Sequence, residues 1–188
     1  MNRNLNNNKA GLTPGLVVME GQDAPPELTF EERFAAARAY AMRSLARRES
    51  AESELLMRLR KQGHDEAVSQ AVLDYCRDHH WVSDERYGAM AVRAGAAKGH
   101  GPTRIRFDLR RKGLSDTELE LAFAQPELDW FELALTLLER RTDGSALKEF
   151  KPRMKWLKFL LGRGFSQDQA RYAIATLQER AEQEDQQS

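Results

Sequence analysis

The chain has 188 residues, of which 41% are hydrophobic and 31% are charged, and its 29 basic and 29 acidic side chains give a net charge of zero. This composition supports one ordinary core or a few small ones, and the single cysteine, Cys76, excludes a disulfide framework within the chain. Because no apolar run approaches the roughly 18 residues of a membrane helix and the N-terminus lacks the features of a signal peptide, we expect a cytoplasmic protein that does not enter a membrane.

The two ends of the chain differ from its middle. Residues 1–33 are rich in Asn, Gly and Pro, and we predict a disordered leader that runs into the first helix. Residues 179–188 are predicted to form a polar, acidic tail. The intervening segment 34–177 holds 25 basic and 20 acidic side chains. This surplus is too small to indicate nucleic-acid binding by itself, so the clustering of charge is more informative than its sum.

Three segments in the middle of the chain align with one another. Each segment contains one glycine that aligns with the glycines of the other two segments. The three glycines are Gly63, Gly113 and Gly164, and they are 50 and 51 residues apart. Apolar side chains stand four and eight residues before each glycine and ten residues after it. Good N-cap residues stand two positions after the glycines, and these are Asp65, Ser115 and Ser166. The pattern predicts a helix that ends at the glycine and a second helix that begins at the cap.

Another helix is predicted before each aligned pair, at about 31–48, 84–97 and 129–141. The sequence therefore predicts an all-α protein of three tandem three-helix repeats of about 50 residues, arranged as an elongated molecule. We place the repeats at residues 34–80, 81–128 and 129–178. Units this small bury little apolar surface alone, so successive repeats should lean on each other.

The sequence gives no indication of a catalytic, cofactor or metal site. The segment "KGHGPT" at 98–103 lacks the GxxxxGK[ST] pattern of a phosphate-binding loop and follows no strand, so a turn with Pro102 near the helix start is the better interpretation. His79 and His80 have no Cys or further His at zinc-ligand spacing. Acidic clusters fall at helix starts, where capping explains them. We therefore expect a protein that is not an enzyme and needs no cofactor.

The second helix of each repeat carries the candidate binding residues. They are Arg58, Arg60 and Lys61 in the first repeat, Arg104, Arg106, Phe107, Arg110, Arg111 and Lys112 in the second, and Arg153, Lys155 and Lys158, followed by Arg163, in the third. On a helix, Ile105 and Leu109 mark the core side, whereas Phe107 lies roughly 200° from Ile105 and faces outward. Its neighbours at i−3, i+3 and i+4 are Arg104, Arg110 and Arg111. Asp108 is the one carboxylate within this basic segment, so we expect few neighbouring ion pairs.

An outward aromatic ring among arginines suits two kinds of partner. One is a polyanion with stackable bases, and the other is an acidic protein surface with an apolar pocket. A basic helix in a three-helix unit also admits a helix-turn-helix-type DNA-binding protein as the alternative. Such proteins usually read bases with the last helix of the unit, which is acidic or neutral in "SDTELELAFAQ" and "SQDQARYAIATLQ". That composition counts against the alternative.

The segments "ARRESAESELLMRLRKQGHDEAVSQAVL", "WVSDERYGAMAVR" and "GHGPTRIRFDLRRKGLSD" resemble the RecX family of bacterial recombinase regulators, in the right order over about residues 36–177. The resemblance implies a curved, elongated molecule that lies along the groove of the RecA–single-stranded DNA filament. It also implies modulation of RecA, usually inhibition of its recombinase, ATPase and co-protease activities in DNA repair and the SOS response. We accordingly expect a monomer whose partners are the RecA filament and single-stranded DNA, with weak binding to double-stranded DNA.

The family pattern transfers best to the second repeat. The matching residues are Asp84, Glu85, Arg86, Tyr87, Gly101, Ile105, Leu109 and Gly113. Phe107 departs from the pattern, because the family more often has a polar residue at this position. The resemblance therefore assigns no role to the Phe107 ring.

Overall fold

The computed structural model describes residues 27–187, and residues 1–26 of the predicted leader lie outside this range. Within the described range the chain forms nine α-helices and one short 3₁₀ helix, and no β-strand. The helices are α1 Phe30–Leu45, α2 Glu52–Lys61, α3 Glu66–Asp78, α4 Asp84–Ala97, α5 Pro102–Arg110, α6 Asp116–Phe123, α7 Trp130–Glu139, α8 Phe150–Gly162 and α9 Gln167–Gln187, with the 3₁₀ helix at Ser145–Lys148. The prediction of an all-α fold is confirmed.

In each repeat the glycine ends one helix and the cap residue begins the next, as their positions predict. Left-handed φ angles of +89°, +90° and +91° are found at Gly63, Gly113 and Gly164. Glycine adopts this conformation without a steric penalty and so ends α2, α5 and α8. The predicted caps accept hydrogen bonds from the backbone N–H three residues later, at 2.9, 3.3 and 3.1 Å for Asp65, Ser115 and Ser166. Each cap satisfies an N–H that would otherwise lack a partner at the helix start.

Each repeat has its own small core. The leucines four residues before the repeat glycines, Leu59, Leu109 and Leu160, are nearly or fully buried and lie in three different clusters. All extensive helix–helix packing occurs between helices of the same repeat. Trp130 packs against the cores of both the second and the third repeat. The structure is therefore a serial array of three three-helix repeats, as predicted.

The first and second repeats meet where the start of α2 touches the start of α4 and the end of α5. The Glu52 N–H donates a hydrogen bond to Asp84 Oδ1 at 2.8 Å. Ser53 Oγ donates to the Lys112 carbonyl, and Lys112 Nζ pairs with the Glu54 carboxylate. We call these five residues the first joint. These polar and ionised groups surround Ala51, the residue before α2, which is fully buried in the core cluster of the second repeat.

The second and third repeats meet where the turn before α5 touches the end of α8. The Gly101 N–H donates to the Arg163 carbonyl at 2.8 Å, and the Thr103 N–H donates to the Gly164 carbonyl at 3.0 Å. Arg163 Nε donates to the Gly99 carbonyl at 2.9 Å. We call these five residues the second joint. Arg163 therefore holds the repeats together, and backbone groups supply most of the contact.

The C-terminal helix is longer than the repeat pattern requires. α9 continues to Gln187, through most of the segment predicted to be an acidic tail. Lys148 Nζ lies 2.7 Å from Asp185 Oδ2, and Gln178 Nε2 donates to the Leu147 carbonyl at 2.7 Å. These bonds connect the last turns of α9 to the 3₁₀ helix. Among the described helices, none combines the length and apolar character needed to cross a membrane.

Candidate binding surface

The predicted cations of α2 have different surroundings. Arg58 is half-buried and lies 3.5 Å from Glu54, one turn earlier in the same helix. Arg60 forms an ion pair of 2.5 Å with Glu66 at the start of α3. Lys61 is exposed and has no carboxylate partner in the described part of the chain. Of these three cations, Lys61 is the one whose charge is available to a partner.

The α5 region has more ion pairs than Asp108, the one carboxylate within its own basic segment, can supply. Three of its cations pair with carboxylates of other elements: Arg106 with Glu120 at 2.7 Å, Arg110 with Asp116 at 2.9 Å, and Lys112 with Glu54. Arg104 lies 4.0 Å from Asp108 in its own helix. The additional carboxylates belong to α2 and α6, which only folding brings to α5. Counting acidic residues within the helix therefore underestimated the pairing.

Phe107 is an exposed side chain, as predicted. The residue is 60% exposed, so its ring is not part of a core. Of the three neighbouring arginines, Arg111 lies over the ring, with 5.8 Å between the guanidinium carbon and the ring centroid. Arg104 and Arg110 are close to carboxylates instead. Because Arg111 has no carboxylate partner among residues 27–187, it forms with Phe107 an exposed pair of an aromatic ring and an unneutralised cation.

The same arrangement recurs in the first repeat. Met57 and Phe107 both stand six residues before a repeat glycine, and both are 60% exposed. Lys61 and Arg111 follow them by four residues, on the same side of each helix. The equivalent position of the third repeat is Lys158, which is also exposed. Sequence reasoning missed Met57, although the alignment of the repeat glycines was a signal that could have identified it.

A cavity of about 520 Å³ lies between α2 and α5. Its walls are Ser53, Glu54, Met57, Asp108, Arg111 and Lys112. The fold therefore brings an exposed methionine of the first repeat and an unpaired arginine of the second repeat to one depression. We call Met57, Lys61, Phe107 and Arg111, together with this cavity, the α2–α5 face.

The ion pair beside this cavity is stable near neutral pH. Burial favours a higher pKa for Glu54, but the hydrogen bond and charge of Lys112 and the charge of Arg58 outweigh burial and lower the pKa. Burial favours a lower pKa for Lys112, whereas its hydrogen bonds to Glu54 and Tyr87 raise the pKa. Both groups are therefore ionised near pH 7. Lys112, a predicted binding residue, also contributes to the first joint.

The predicted cations of α8 are exposed, and two of them lie beside aromatic rings. Arg153 lies 5.8 Å from the centroid of the Phe150 ring, and Lys155 lies 5.4 Å from that of Trp156. Lys158 is exposed, and across the described range none of the three cations has a carboxylate partner. No hydrogen bond, ion pair or ring contact between described residues links them to α2 or α5.

Between residues 27 and 187, no three His, Cys, Asp or Glu side chains are grouped so that they could hold a metal ion. His79 stacks on Tyr75 with 4.0 Å between ring centroids, and His80 lies in the turn after α3 with a φ of +55°. The arrangement that can be interpreted chemically is the α2–α5 face, with its exposed apolar side chains and unpaired cations.

Sequence models of three RecX domains match the chain in order. The first three-helix domain matches residues 37–76, the second matches residues 83–122, and the third matches residues 127–174. Together these matches cover more than half of the chain. Each match contains one of the three pairs of repeat glycine and helix cap.

Two relatives and two solved structures extend this similarity. Regulatory protein RecX of Vibrio campbellii is 37% identical over 135 residues, which cover 72% of this chain and 87% of the relative. Regulatory protein RecX of Halorhodospira halophila is 33% identical over 144 residues, which cover 77% of this chain and 89% of the relative. The crystal structure of RecX from Lactobacillus salivarius has a TM-score of 0.69 at 22% identity and covers 78% of this chain and 97% of the solved chain.

A second crystal structure, of regulatory protein RecX, has a TM-score of 0.63 at 24% identity, and the match covers 74% of this chain and 70% of the solved chain. At these identities the structural likeness establishes the fold alone. The matched domains and the relatives establish the family. The chain belongs to the RecX family of regulatory proteins.

Proposed function

We propose that the protein binds the RecA–single-stranded DNA filament and inhibits the recombinase, ATPase and co-protease activities of RecA in DNA repair and the SOS response. It acts in the cytoplasm as a monomer and by binding, without a catalytic centre of its own. Membership in a family of regulatory proteins supports this proposal. So does the serial arrangement of repeats, because successive helices can contact successive parts of an extended ligand.

The observation that carries the proposal is the exposed pair of Phe107 and Arg111. An apolar ring that is 60% exposed beside an unneutralised guanidinium suits a partner that has both an apolar contact and negative charge. A filament of protein and single-stranded DNA has both, in acidic side chains, phosphates and bases. Met57 and Lys61 repeat the arrangement one repeat earlier.

The other predicted residues can contact the filament through their positive charge. Arg153, Lys155 and Lys158 have no carboxylate partner among residues 27–187, so they can contact anionic groups of the partner without first losing an ion pair. Six of the predicted cations are paired with carboxylates of the protein, and to bind they must exchange that carboxylate for an anionic group of the partner. These six cations are Arg58, Arg60, Arg104, Arg106, Arg110 and Lys112. Ion pairs between exposed side chains, such as Arg60–Glu66 and Arg110–Asp116, stabilise a protein by at most about 1 kcal/mol, so their exchange is feasible.

The proposal is tested by titrating the full chain into RecA that is hydrolysing ATP on single-stranded DNA. We expect the hydrolysis rate to fall as the protein is added, and the protein to co-sediment with the filaments. Unchanged hydrolysis together with no co-sedimentation would exclude filament binding. Faster hydrolysis with co-sedimentation would retain binding but contradict inhibition.

The variant Phe107→Ala tests the binding surface. Removal of an apolar or stacking interaction should weaken filament binding by about 1–3 kcal/mol, with little change in the dependence on salt. The free energy of unfolding should change by less than about 0.5 kcal/mol, because the ring is exposed. Leu121→Ala is a matched control, since Leu121 is 53% exposed and lies outside the proposed surface. If both variants and the unmodified protein bind the filament equally well, Phe107 is not part of the interface.

A further inference from the structure

A second depression, on the first repeat, is lined mainly by arginines. It has a volume of about 350 Å³ and lies between the end of α1, the turn after α1 and the middle of α2. Its walls are Tyr40, Arg43, Ser44, Arg47, Arg48 and Arg58. Four of these six side chains are guanidinium groups, and no carboxylate of the described chain lines the depression. The volume falls within the roughly 300–1,000 Å³ of ordinary ligand pockets.

Three of the four arginines form no ion pair within residues 27–187, although the charge of Arg48 acts on Glu54 and helps to lower the pKa of that carboxyl group. Arg43, Arg47 and Arg48 are exposed, and within residues 27–187 none forms an ion pair with a carboxylate. The fourth arginine, Arg58, is half-buried and lies 3.5 Å from Glu54. The Glu54 carboxylate is shared with Lys112, so it offsets only part of the positive charge of the four arginines. The fold thus gathers like charges that repel one another, and a bound anion would relieve this repulsion.

The carbonyl end of α1 explains only part of this clustering. A cation in the last turn of a helix is stabilised by the partial negative charge of the free carbonyl groups. This effect accounts for Arg43, which lies in the last turn of α1. It does not account for Arg58, which comes from α2 and donates a hydrogen bond to Ser44 Oγ at 3.0 Å. That bond fixes one guanidinium and one hydroxyl at the wall of the depression.

The type of cation favours phosphate as the bound anion. All four charged side chains are arginines, whose planar guanidinium groups donate paired hydrogen bonds that match two phosphate oxygens. Tyr40 lines the same depression and lies beside His64, with 6.5 Å between ring centroids. An aromatic wall next to phosphate-binding groups suits a nucleotide whose base is unstacked. Duplex DNA keeps its bases paired, so single-stranded DNA is the better match.

We propose that this depression is a binding site for the phosphate backbone of single-stranded DNA, with Arg43, Arg47, Arg48 and Arg58 contacting phosphate oxygens and Tyr40 contacting a base. The site lies outside the α2–α5 face and functions in the absence of RecA. This proposal does not depend on the proposed regulation of RecA, because the ligand of the site is single-stranded DNA alone. The DNA strand would thus have an attachment site of its own on the first repeat.

The test measures binding of a fluorescein-labelled dT oligonucleotide to the full chain by fluorescence anisotropy, without RecA. The double variant Arg47→Gln, Arg48→Gln should bind at least about tenfold more weakly at low salt. Its affinity should also depend less on salt, by about 0.7 in logarithmic slope for each phosphate that the variant no longer neutralises. Both side chains are exposed, so the urea unfolding curve should be unchanged, which separates the loss of a site from the loss of the fold.

The matched control is the double variant Arg140→Gln, Arg171→Gln. These arginines are also exposed and without a carboxylate partner in the described range, but they lie in the third repeat. The control removes the same charge and should reduce affinity by less than about twofold. Equal loss of affinity in both double variants would overturn the proposal, because it would reflect the total charge of the protein rather than a site.

Two competition experiments identify the ligand. Inorganic phosphate at matched ionic strength should leave the difference between the unmodified protein and the Arg47→Gln, Arg48→Gln variant intact. If phosphate abolishes that difference, the depression binds a free anion and the proposal is wrong. Poly-L-glutamate should compete much less effectively than unlabelled dT oligonucleotide, and equal competition would overturn the assignment to nucleic acid. These tests can fail while the protein still inhibits ATP hydrolysis by RecA, and they can succeed when it does not. The two proposals are therefore tested independently.

Discussion

The two joints of this protein connect similar repeats by different chemistry. At the first joint, an aspartate accepts a hydrogen bond from the Glu52 N–H, and Lys112 pairs with Glu54. At the second joint, the backbones of Gly101 and Gly164 approach so closely that a Cβ on Gly101 would lie 2.2 Å from the Gly164 carbonyl carbon. The first contact includes an ion pair and a buried carboxylate, whereas the second, apart from the Arg163 guanidinium, is made by backbone groups that leave no room for a side chain on Gly101.

This difference determines which conditions act on each joint. Ionised side chains respond to pH and to salt, since protonation and screening change their interactions. Backbone hydrogen bonds between N–H and carbonyl groups carry no net charge and respond to neither over the ordinary range. We therefore expect the relative position of the first two repeats to be adjustable by solution conditions, and that of the last two to be fixed by sterics. Three variants test this contrast.

The largest effect is expected for Gly101→Ala at the second joint. Gly101 has a φ of −79°, which any residue can adopt, so the close contact with Gly164 and Phe165 is what requires glycine there. The added methyl group must push the backbones apart and break the Gly101–Arg163 hydrogen bond. We expect the free energy of unfolding to fall by about 3 kcal/mol. Urea titration followed by the fluorescence of the three tryptophans, of which Trp130 packs against both adjoining cores, measures this change.

Gly162→Ala is the control for this substitution. Gly162 is the last residue of α8, and a Cβ added there would meet nothing within 4 Å. Alanine should leave stability unchanged or raise it slightly through helix propensity. If Gly101→Ala were as stable as Gly162→Ala, the second joint would not depend on close backbone contact.

A smaller effect, which depends on pH, is expected for Asp84→Asn at the first joint. Burial raises the pKa of Asp84 from 3.8 to about 6, the carboxylates of Glu52 and Glu118 add to this, and the Glu52 N–H and Arg77 partly oppose it. The folded protein therefore holds the proton more tightly than the unfolded chain. Stability falls as pH rises from about 4 to about 6, and the full penalty is present above that window.

Asparagine lacks this charge and keeps an oxygen that can accept from the Glu52 N–H. At pH 8, Asp84→Asn should be about 2 kcal/mol more stable than the unmodified protein, and at pH 4 the two should be similar. Urea titrations at both pH values measure the difference. Asp84→Ala is the control, because it leaves the Glu52 N–H without its acceptor and should be less stable than Asp84→Asn throughout. A stability difference that does not vary with pH would show that the buried charge is not its cause.

The smallest effect is expected for Lys112→Gln. Glutamine has no charge, so the partly buried Glu54 carboxylate loses the attraction of the Lys112 ammonium group. The free energy of unfolding should fall by about 1 kcal/mol at low salt. The loss should shrink in 1 M NaCl, because salt screens partly exposed charges. Lys61→Gln removes an unpaired lysine and should change stability by less than about 0.3 kcal/mol. Equal losses at low and high salt would indicate that Lys112 contributes by packing rather than by charge.

The repeats were predictable because their signals are local. A glycine in the left-handed conformation and a cap two residues later act within one turn of chain, so Gly63 with Asp65 can be recognised from spacing alone. The outward position of Phe107 follows from helical periodicity in the same way. Met57 was equally predictable from the repeat alignment, since it occupies the same register.

The ion pairs were not predictable, because their partners are distant in sequence. Lys112 and Glu54 are 58 residues apart, and Arg106 and Glu120 are 14 residues apart on different helices. A charge count within one helix cannot detect such partners. For the same reason, the arginine depression could not be identified from the sequence, since Arg58 reaches it from a second helix.

The sequence by itself determined the helices, their ends, the three-repeat plan and the outward direction of Phe107, because each depends on interactions between residues a few positions apart. The tertiary structure decided which cations are neutralised, since a carboxylate from another helix must come within about 4 Å of the charge. It also decided the chemistry of the joints, because Asp84 is buried and Gly101 is confined only when a second repeat packs against them. Local sequence therefore specifies the units, and packing between them specifies which side chains remain available to bind.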